Sequence, residues 1–445
     1  MFEIFKNFFG YENADILIEK LNDDQKNALS IMNEGGNVFL TGGAGTGKSY
    51  LIQTFKKLHA NKNILVTAPT GVAAQNVHGA TLHRTFKIPT QMLAPHEPQK
   101  NTKAVNKLLA EVDIIIIDEI SMCRADIFTY VARFIAQENL RRKYMKKNAK
   151  APIQLVVVGD FFQLPPVITT KEKDTWKELW GDNSEGWAFT TKAWEYLQIR
   201  TIELKEVMRQ KNQDFAQALN EIRINNLNGI NFLNQNRREN YNPDAVFLCC
   251  TNSMAEEINY QKVSELDGKK KTFKMVKSGD ITSIRKSDYI CDEELELKIG
   301  ARVMVLINDP YDAYSNGSCG YVKKFTDEGV IVTLDKGENV EIKPYKWSIN
   351  EYLLDRDENG KAIAKPYEIA SYTQIPLKLA YAITIHKSQG QTYDAVNVDI
   401  KDIFANGQLY VALSRCKSIE NTYFNVPITA NKLKVSRTVL NQYRV

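Results

Sequence analysis

Short apolar runs alternate with helix-compatible stretches over residues 1–200 of the chain. The runs that predict strands are rich in Val and Ile, and each leads into a loop: residues 38–41, 64–68, 113–117 and 155–158. Strands that are apolar along most of their length suit a parallel sheet that is buried on both faces. This part of the sequence therefore predicts an α/β fold with functional loops at the carboxyl ends of its strands.

The same alternation returns in the second half of the chain. It predicts strands at residues 245–250, 380–385 and 395–400, and helices at residues 253–266 and 408–415. Between them, residues 320–372 contain short strand-like runs at 330–334 and 340–342 that are separated by Gly-containing turns. This texture predicts a small antiparallel β insertion.

Composition gives limited information about binding partners and cellular compartment. The net charge is +5, so a basic track for nucleic acid must be local rather than spread over the surface. Six cysteines form no CxxC pair, which argues against a zinc site or a disulfide scaffold and favours a reducing, cytoplasmic compartment. No apolar run reaches the roughly eighteen residues of a membrane span, and the four Phe of residues 1–10 predict a short helix packed on the body.

A phosphate-binding loop follows the first predicted strand. Its residues match GxxxxGK[ST] and precede a helix-compatible stretch: Gly42, Gly43, Ala44, Gly45, Thr46, Gly47, Lys48 and Ser49. The glycines let backbone N–H groups close around phosphate oxygens, and the helix start adds a favourable dipole. Lys48 is expected to neutralise the β- and γ-phosphates of ATP, and Ser49 is expected to bind Mg²⁺.

Polar residues end two further predicted strands. Asp118 is placed to hold Mg²⁺ through water, and Glu119 to polarise the water that attacks the γ-phosphate. Residues 159–166 form a loop in which Gln163 is expected to sense the γ-phosphate, while a Pro-Pro pair stiffens the chain. A solvated loop start and a plain structural turn are the alternative interpretations of these two segments.

With these motifs, the sequence resembles the superfamily-1B DNA helicases over about residues 20–420. The closest likeness is to the petite-integration-frequency helicase family, with its RecD-like and Dda-like relatives. The matching segments occur in the family's order: Leu21-Asn22-Asp23-Asp24-Gln25, Ala68-Pro69-Thr70-Gly71-Val72-Ala73-Ala74, Gly79-Ala80-Thr81-Leu82-His83, Leu204-Lys205-Glu206-Val207-Met208-Arg209-Gln210, Thr251-Asn252, Thr384-Ile385-His386-Lys387-Ser388-Gln389-Gly390 and Tyr410-Val411-Ala412-Leu413-Ser414-Arg415. One segment departs from the family, because Lys150-Ala151-Pro152 stands where a Pro-Phe-Gly-Gly run is usual.

The resemblance implies two RecA-like parallel-sheet motor domains in tandem, with small inserted subdomains. The first motor domain is expected at residues 1–200, with a strand-splitting pin of rigid irregular chain at about 87–111. The second is expected in two parts, at residues 201–305 and 374–445. An SH3-like antiparallel β insertion is expected between those parts, at residues 306–373.

The resemblance also assigns roles to particular residues. Gln25 is expected to read the adenine, Gln389 and Gly390 to face the nucleotide, and Arg209 and Arg415 to be arginine fingers supplied within one chain. Loop N–H groups, hydroxyls and basic side chains are expected to contact DNA phosphates. The residues that the matching motifs assign to DNA are Pro69, Thr70, Gly71, Thr81, His83, Asn252, Thr384, His386 and Lys387.

The implied function is an ATP- and Mg²⁺-dependent DNA helicase that moves 5′ to 3′ along single-stranded DNA. Its expected partners are single-stranded DNA and forks of any sequence, with G-quadruplexes as a further substrate, and the expected state is a monomer. The alternatives are an ATP-switched DNA-binding protein or translocase without strand separation, and a phosphate-loop kinase. A further basic cluster could bind duplex DNA, but we interpret it as a solvated helix face. Its members are Arg141, Arg142, Lys143, Lys146, Lys147 and Lys150.

Overall fold

The computed structural model describes residues 14–443 except 90, 100, 101, 146–149, 182, 184, 211, 284–288, 310, 312, 358, 359 and 361. The helix predicted for residues 1–10 lies outside the described residues, as do Lys146 and Lys147 of the basic cluster. Within the described part of the chain, no helix combines the length and the apolar composition that crossing a membrane requires.

Six parallel strands form the first sheet, in the order β3-β2-β4-β5-β1-β6. They are β1 (Val38–Gly42), β2 (Ile64–Ala68), β3 (Ala80–Thr81), β4 (Ile114–Ile117), β5 (Gln154–Val158) and β6 (Arg200–Leu204). Ile115 and Ile117 of β4 pack in one hydrophobic cluster, whereas Ile114 and Ile116 pack in another. The sheet is therefore buried on both faces, as its apolar strands predict.

Helices flank this sheet, and one of them corrects an expectation. They are α1 (Ala14–Glu19), α2 (Asp23–Asn33), α3 (Lys48–Leu58), α4 (Gly71–Asn76), α5 (Leu82–Thr85), α6 (Thr102–Glu111), α7 (Ala125–Tyr144), α8 (Lys173–Trp180) and α9 (Lys192–Tyr196). The prediction of irregular chain throughout residues 87–111 is wrong for its second part, which forms α6. Val105, Leu108 and Leu109 recur at helical spacing and are buried, so this face packs into the core.

A second sheet of four parallel strands has the order β18-β7-β19-β20. Its strands and helices are β7 (Val246–Cys249), β18 (Ala382–Thr384), β19 (Val396–Val398), β20 (Thr422–Tyr423), α10 (Gln213–Arg223), α11 (Asn228–Gln235), α12 (Asn252–Ser264), α13 (Gln408–Leu413) and α14 (Arg437–Tyr443). β18 and β19 are each three residues long, shorter than the strands predicted at 380–385 and 395–400. The flanking residues leave the ladder for loops that lead into the candidate site.

Antiparallel strands lie between β7 and β18 in the sequence. They are β8 (Lys270–Lys274), β9 (Val276–Gly279), β10 (Glu294–Lys298), β11 (Arg302–Val305), β12 (Cys319–Phe325), β13 (Val330–Leu334), β14 (Asn339–Ile342), β15 (Tyr345–Arg356), β16 (Ala362–Gln374) and β17 (Leu377–Leu379). They form a five-stranded sheet (β14-β13-β12-β11-β17), a three-stranded sheet (β15-β16-β9) and the pair β10-β8. The α/β class with an antiparallel insertion is confirmed, but the antiparallel strands extend beyond residues 320–372 on both sides.

The long hairpin β15–β16 reaches back to the first sheet. The hydroxyl oxygen of Tyr352 accepts a hydrogen bond from the Val66 backbone N–H, and Lys87 forms an ion pair with Glu351. The Gln75 side chain on α4 donates to the hydroxyl of Tyr372 at 3.2 Å. The antiparallel region is thus attached to the half of the chain that precedes it in sequence.

The basic cluster near the end of α7 contains one buried member. Arg142 is 2% exposed, forms an ion pair with Glu138 at 2.9 Å, and donates to backbone carbonyl oxygens of Leu109, Val112 and Ala151. The interpretation of this cluster as a solvated face is therefore wrong for Arg142, because its planar donors join α7 to the chain around β4. The spacing of charged residues along the helix does not predict that Arg142 is buried and bonded to backbone carbonyl oxygens.

We expect Arg142→Met to lower the free energy of unfolding by about 3 kcal/mol or more, because buried acceptors lose their donor. Arg141→Met is the matched control, since Arg141 also binds Glu138 but is half exposed. That control should cost about 1 kcal/mol or less. Urea unfolding followed by tryptophan fluorescence measures both, and equal effects of the two substitutions would contradict this assignment.

Candidate nucleotide site and nucleic-acid cleft

The phosphate-binding loop joins the end of β1 to the start of α3. Gly45 and Gly47 both have left-handed backbones, with φ of +84° and +80°. A Cβ at Gly45 would lie 2.4 Å from the Cβ of Arg209, and one at Gly47 would lie 2.3 Å from Nε2 of Gln25. The loop therefore needs glycine at both positions for conformation and for space.

Gln25 supports this loop from α2. Its Oε1 accepts from the Asn22 backbone N–H, and the Asn22 side chain accepts from the Gln25 backbone N–H, which completes a capping box. Nε2 of Gln25 donates to the carbonyl oxygen of Thr46 at 3.2 Å. The structure thus places Gln25 against the phosphate loop itself.

Lys48, Asp118 and Glu119 lie close together and are each half-buried. Nζ of Lys48 donates to the carbonyl oxygens of Gly42 (2.7 Å) and Gly43 (2.9 Å). Burial lowers the pKa of Lys48 to about 8 and, with the neighbouring charge of Glu119, raises the pKa of Asp118 to about 7. Burial also raises the pKa of Glu119. The free-energy cost of these half-buried charges is the kind that a bound cation and phosphates offset.

The residues present fit Mg²⁺ and a nucleoside triphosphate. Ser49 and Asp118 line the same cleft and offer oxygen ligands, which Mg²⁺ prefers. Oε1 of Gln210 is buried near Gly45 and has no hydrogen-bond partner among the described residues. Buried polar atoms are normally satisfied, so this atom is suited to a ligand in the cradle.

Gln389 connects the two halves of the chain at this site. Its Nε2 lies 3.1 Å from Oε2 of Glu119, 3.1 Å from Oε1 of Gln163 and 3.4 Å from Oγ of Ser121. An amide nitrogen has two hydrogens, so these three acceptors compete for them. Gly390 follows directly, and a Cβ there would lie 3.7 Å from Oε1 of Glu119.

The two candidate arginine fingers occupy different positions. Arg209 lies against Gly45, and its Nη1 donates to the carbonyl oxygen of Ser414 at 3.1 Å. Arg415 is 2% exposed, and its guanidinium donates to carbonyl oxygens of Val411 and Ser388 within its own half. Burial lowers the pKa of both arginines, that of Arg209 to about 10.

Two contacts were not assigned a role from the sequence. The hydroxyl oxygen of the buried Tyr410 accepts from the Ala44 backbone N–H at 2.6 Å, which joins α13 to the phosphate loop. Asp160 forms a buried ion pair with Arg223, whose guanidinium also lies over the Phe162 ring at 4.5 Å. Asp160 follows a buried strand, as Asp118 does, and this was an available signal. Arg223 lies on a helix with no recognisable motif.

One cleft of about 1970 Å³ contains the candidate DNA-binding residues from both halves. Its lining includes Pro69, Thr70, Gly71, Thr81, His83, Asn252, Thr384, His386 and Lys387, and it continues to Ser49, Asp118, Glu119 and Gln389. The hydroxyls of Thr70 and Thr81 accept from backbone N–H groups and cap α4 and α5. Burial lowers the pKa of His386. The cleft thus runs from the candidate DNA-binding residues to one side of the candidate nucleotide site, while residues 42–48 of the phosphate loop do not line it.

Comparison with known proteins identifies a consistent set of relatives. The family model described as PIF1-like helicase matches residues 20–235. The ATP-dependent DNA helicase Pif1 of Campylobacter jejuni is 34% identical, and the match covers 92% of this chain and 94% of that protein. Human ATP-dependent DNA helicase PIF1 is 31% identical over 90% of this chain and 60% of its own length.

Solved structures give the same result. The crystal structure of Pif1 from Bacteroides sp in complex with ADP-AlF4 has a TM-score of 0.82 and 31% identity, covering 95% of this chain and 96% of that one. Bacteroides Pif1 bound to single-stranded DNA has a TM-score of 0.65 and 32% identity, with 95% and 96% covered. The phosphate-loop kinase alternative is therefore wrong, because the likeness covers both halves of the chain.

We expect Tyr410→Phe to reduce DNA-stimulated ATP turnover by about tenfold, since an unpaired buried N–H costs about 1–3 kcal/mol and this one lies in the phosphate loop. Steady-state ATPase assays with saturating single-stranded DNA measure the effect. Tyr381→Phe is the matched control, because the Tyr381 hydroxyl accepts from the Arg302 backbone N–H away from that loop. Equal turnover in the two variants would show that the Tyr410 contact is only structural.

Proposed function

Because the chain belongs to the PIF1-like helicase family and is an ATP-dependent DNA helicase, we propose that it translocates 5′ to 3′ along single-stranded DNA and separates strands. Mg²⁺-dependent ATP hydrolysis closes and opens the cleft between its two halves. The observation that carries this proposal is the set of Gln389 contacts, because they join the loop lining the DNA cleft to Glu119 and Gln163.

The proposed division into domains follows the two parallel sheets. The first motor domain comprises residues 1–200, with the pin segment at about 87–111 consisting of irregular chain followed by α6. The second comprises residues 201–305 and 374–445, and residues 306–373 form the SH3-like insertion. Strands β1–β6 form one parallel sheet and β7, β18, β19 and β20 form the other, which supports two motor domains. The antiparallel strands β8–β11 and β17 lie outside residues 306–373, so those bounds are too narrow for the insertion.

At the nucleotide, Lys48 and the phosphate-loop N–H groups hold the phosphates, while Ser49 and Asp118 hold the Mg²⁺ ion. When bound, the ion supplies charge stabilisation for the phosphoryl group that is transferred to water. Glu119 orients and polarises that water, and its carboxylate is itself positioned by the Gln389 amide. Gln163 accepts from the same amide and is thereby placed to respond to the γ-phosphate.

Arg209 and Arg415 are the proposed fingers. The Cβ of Arg209 lies beside the phosphate loop, and its guanidinium would leave the Ser414 carbonyl oxygen to meet a transition-state oxygen. Arg415 is held by acceptors of its own half, so it arrives as that half closes on the nucleotide. Both side chains stay cationic at neutral pH despite burial, which suits stabilisation of developing negative charge.

DNA occupies the continuation of the same cleft. Threonine hydroxyls, loop N–H groups and the basic residues His83, His386 and Lys387 contact the phosphate backbone, so binding does not depend on base sequence. A structure of Bacteroides Pif1 bound to single-stranded DNA and a structural study of Pif1 helicases at forked DNA support DNA binding by this chain. We also propose that the protein acts as a monomer and unwinds G-quadruplexes. A cytoplasmic location is proposed as well, and the six free cysteines are consistent with it.

We expect unwinding of a duplex with a 5′ single-stranded tail and little unwinding of one with a 3′ tail, measured by fluorescent strand separation. Lys48→Ala should unwind neither substrate, because phosphate binding and charge neutralisation are lost. Efficient unwinding from the 3′ tail alone would overturn the proposed direction. ATP-dependent DNA binding by the wild-type chain without unwinding of either substrate would favour the alternative, an ATP-switched DNA-binding protein or translocase.

A further inference from the structure

A lysine outside the matching motifs lies in the cleft beside the proposed DNA-binding residues. Lys378 is on β17, at the edge of the five-stranded sheet, and is half-buried. It lines the cleft together with Thr384 at the end of β18 and with His386 and Lys387 of the loop that follows. No motif marked Lys378 in the sequence, because a lone lysine in a short strand is usually solvated.

The charges around Lys378 are not balanced by an ion pair. Within the described residues, neither Lys378 nor Lys387 forms an ion pair with a carboxylate, whereas Lys277 pairs with Glu293 and Lys417 with Asp394. Burial, and then the positive charge of Lys387, lower the pKa of Lys378 to about 8. Two ammonium groups that repel each other in a partly buried cleft are stabilised by an anion between them.

The neighbouring elements carry several charged groups, and burial and Lys387 lower the pKa of Lys378 by more than the carboxylate of Asp292 raises it. The titratable and charged groups around Lys378 are Asp292 before β10, Glu294, Glu296 and Lys298 on β10, Arg302 on β11, Cys319 on β12 and Lys387. Arg302 is paired with Asp335, Glu294 with Lys274 and Glu296 with Lys270. Burial raises the pKa of the Cys319 thiol to about 12, so it stays neutral near pH 8.

We propose that Lys378 joins Lys387 in binding the phosphate backbone of single-stranded DNA within the cleft. This inference rests on the proposed path of DNA through the cleft. It adds a binding residue from the antiparallel insertion to those of the two parallel-sheet halves. It also makes DNA affinity depend on pH in a range where most phosphate-binding lysines are already fully charged.

The sign of the pH dependence follows from linkage. Below pH 8 the side chain of Lys378 is already protonated in the free protein, so DNA binding requires no free energy for its protonation. Above pH 8 the free side chain is increasingly neutral, while a bound phosphate raises its pKa and keeps it charged. DNA affinity should therefore fall as pH rises from about 7 to 9, by up to roughly tenfold for one proton over the last unit.

The test measures affinity for a fluorescent oligo-dT strand by anisotropy, across pH and salt, with the full chain. Lys378→Met should weaken binding by about fivefold or more and lower the slope of log affinity against log salt by about 0.7. Lys378→Arg should retain the affinity at pH 7 but lose most of its decline toward pH 9, because guanidinium stays charged. Lys324→Met is the matched control, since it removes the same charge from an exposed position on β12 of the same sheet that does not line the cleft.

Two results would overturn the site while leaving the proposed function intact. One is unchanged affinity and salt slope in a Lys378→Met variant that melts like the wild type. The other is a Lys378→Arg variant whose affinity falls with pH as steeply as that of the wild type. If the wild-type chain did not bind oligo-dT at all, the proposed function would fail, and the site would fail with it.

Discussion

The contact between the Gln389 amide and the carboxylate of Glu119 is the interaction on which the rest of the site depends. Glu119 lies at the end of a buried strand with a left-handed backbone (φ 50°), so its position is held against local conformational preference. Gln389 supplies a donor to that carboxylate from the other parallel-sheet half. Four residues, 385–388, separate β18 from Gln389, and two of them, His386 and Lys387, line the DNA cleft. Any ligand that moves the loop therefore also acts on the residue proposed to activate water.

Other contacts between the halves are buried and costly to break. The Asp160–Arg223 ion pair has side chains that are 0% and 7% exposed, and separating such a pair costs about 3–5 kcal/mol. The Tyr410 hydroxyl and the Ala44 N–H form a second buried link on the same side. By contrast, the Gln389 amide shares two hydrogens among three acceptors, so it can change partner without losing all its bonds. Movement between the halves is therefore expected at the cleft around Gln389, with the Asp160–Arg223 side serving as the hinge.

The sequence was sufficient where one local pattern determines one structure. The phosphate loop needs glycine at positions 45 and 47 and lysine at 48, and the four isoleucines of β4 suit only a strand buried on both faces. It was insufficient where a role depends on residues distant in the chain. Arg142 is buried because it donates hydrogen bonds to carbonyl oxygens some thirty residues away in the chain. Arg223 is buried because it forms an ion pair with Asp160. Charge patterns along a helix do not contain that information.

The central claim is that Gln389 carries free energy between the DNA and nucleotide sites, and one equilibrium measurement tests it most directly. The affinity for oligo-dT is measured with and without a non-hydrolysable ATP analogue, in the wild type, Gln389→Ala and the exposed cleft control Gln53→Ala. The analogue should change the affinity by roughly fivefold or more in the wild type and the control, a typical coupling between linked sites. In Gln389→Ala the change should be about twofold or less. An undiminished effect of the analogue in a stably folded Gln389→Ala protein would contradict the account.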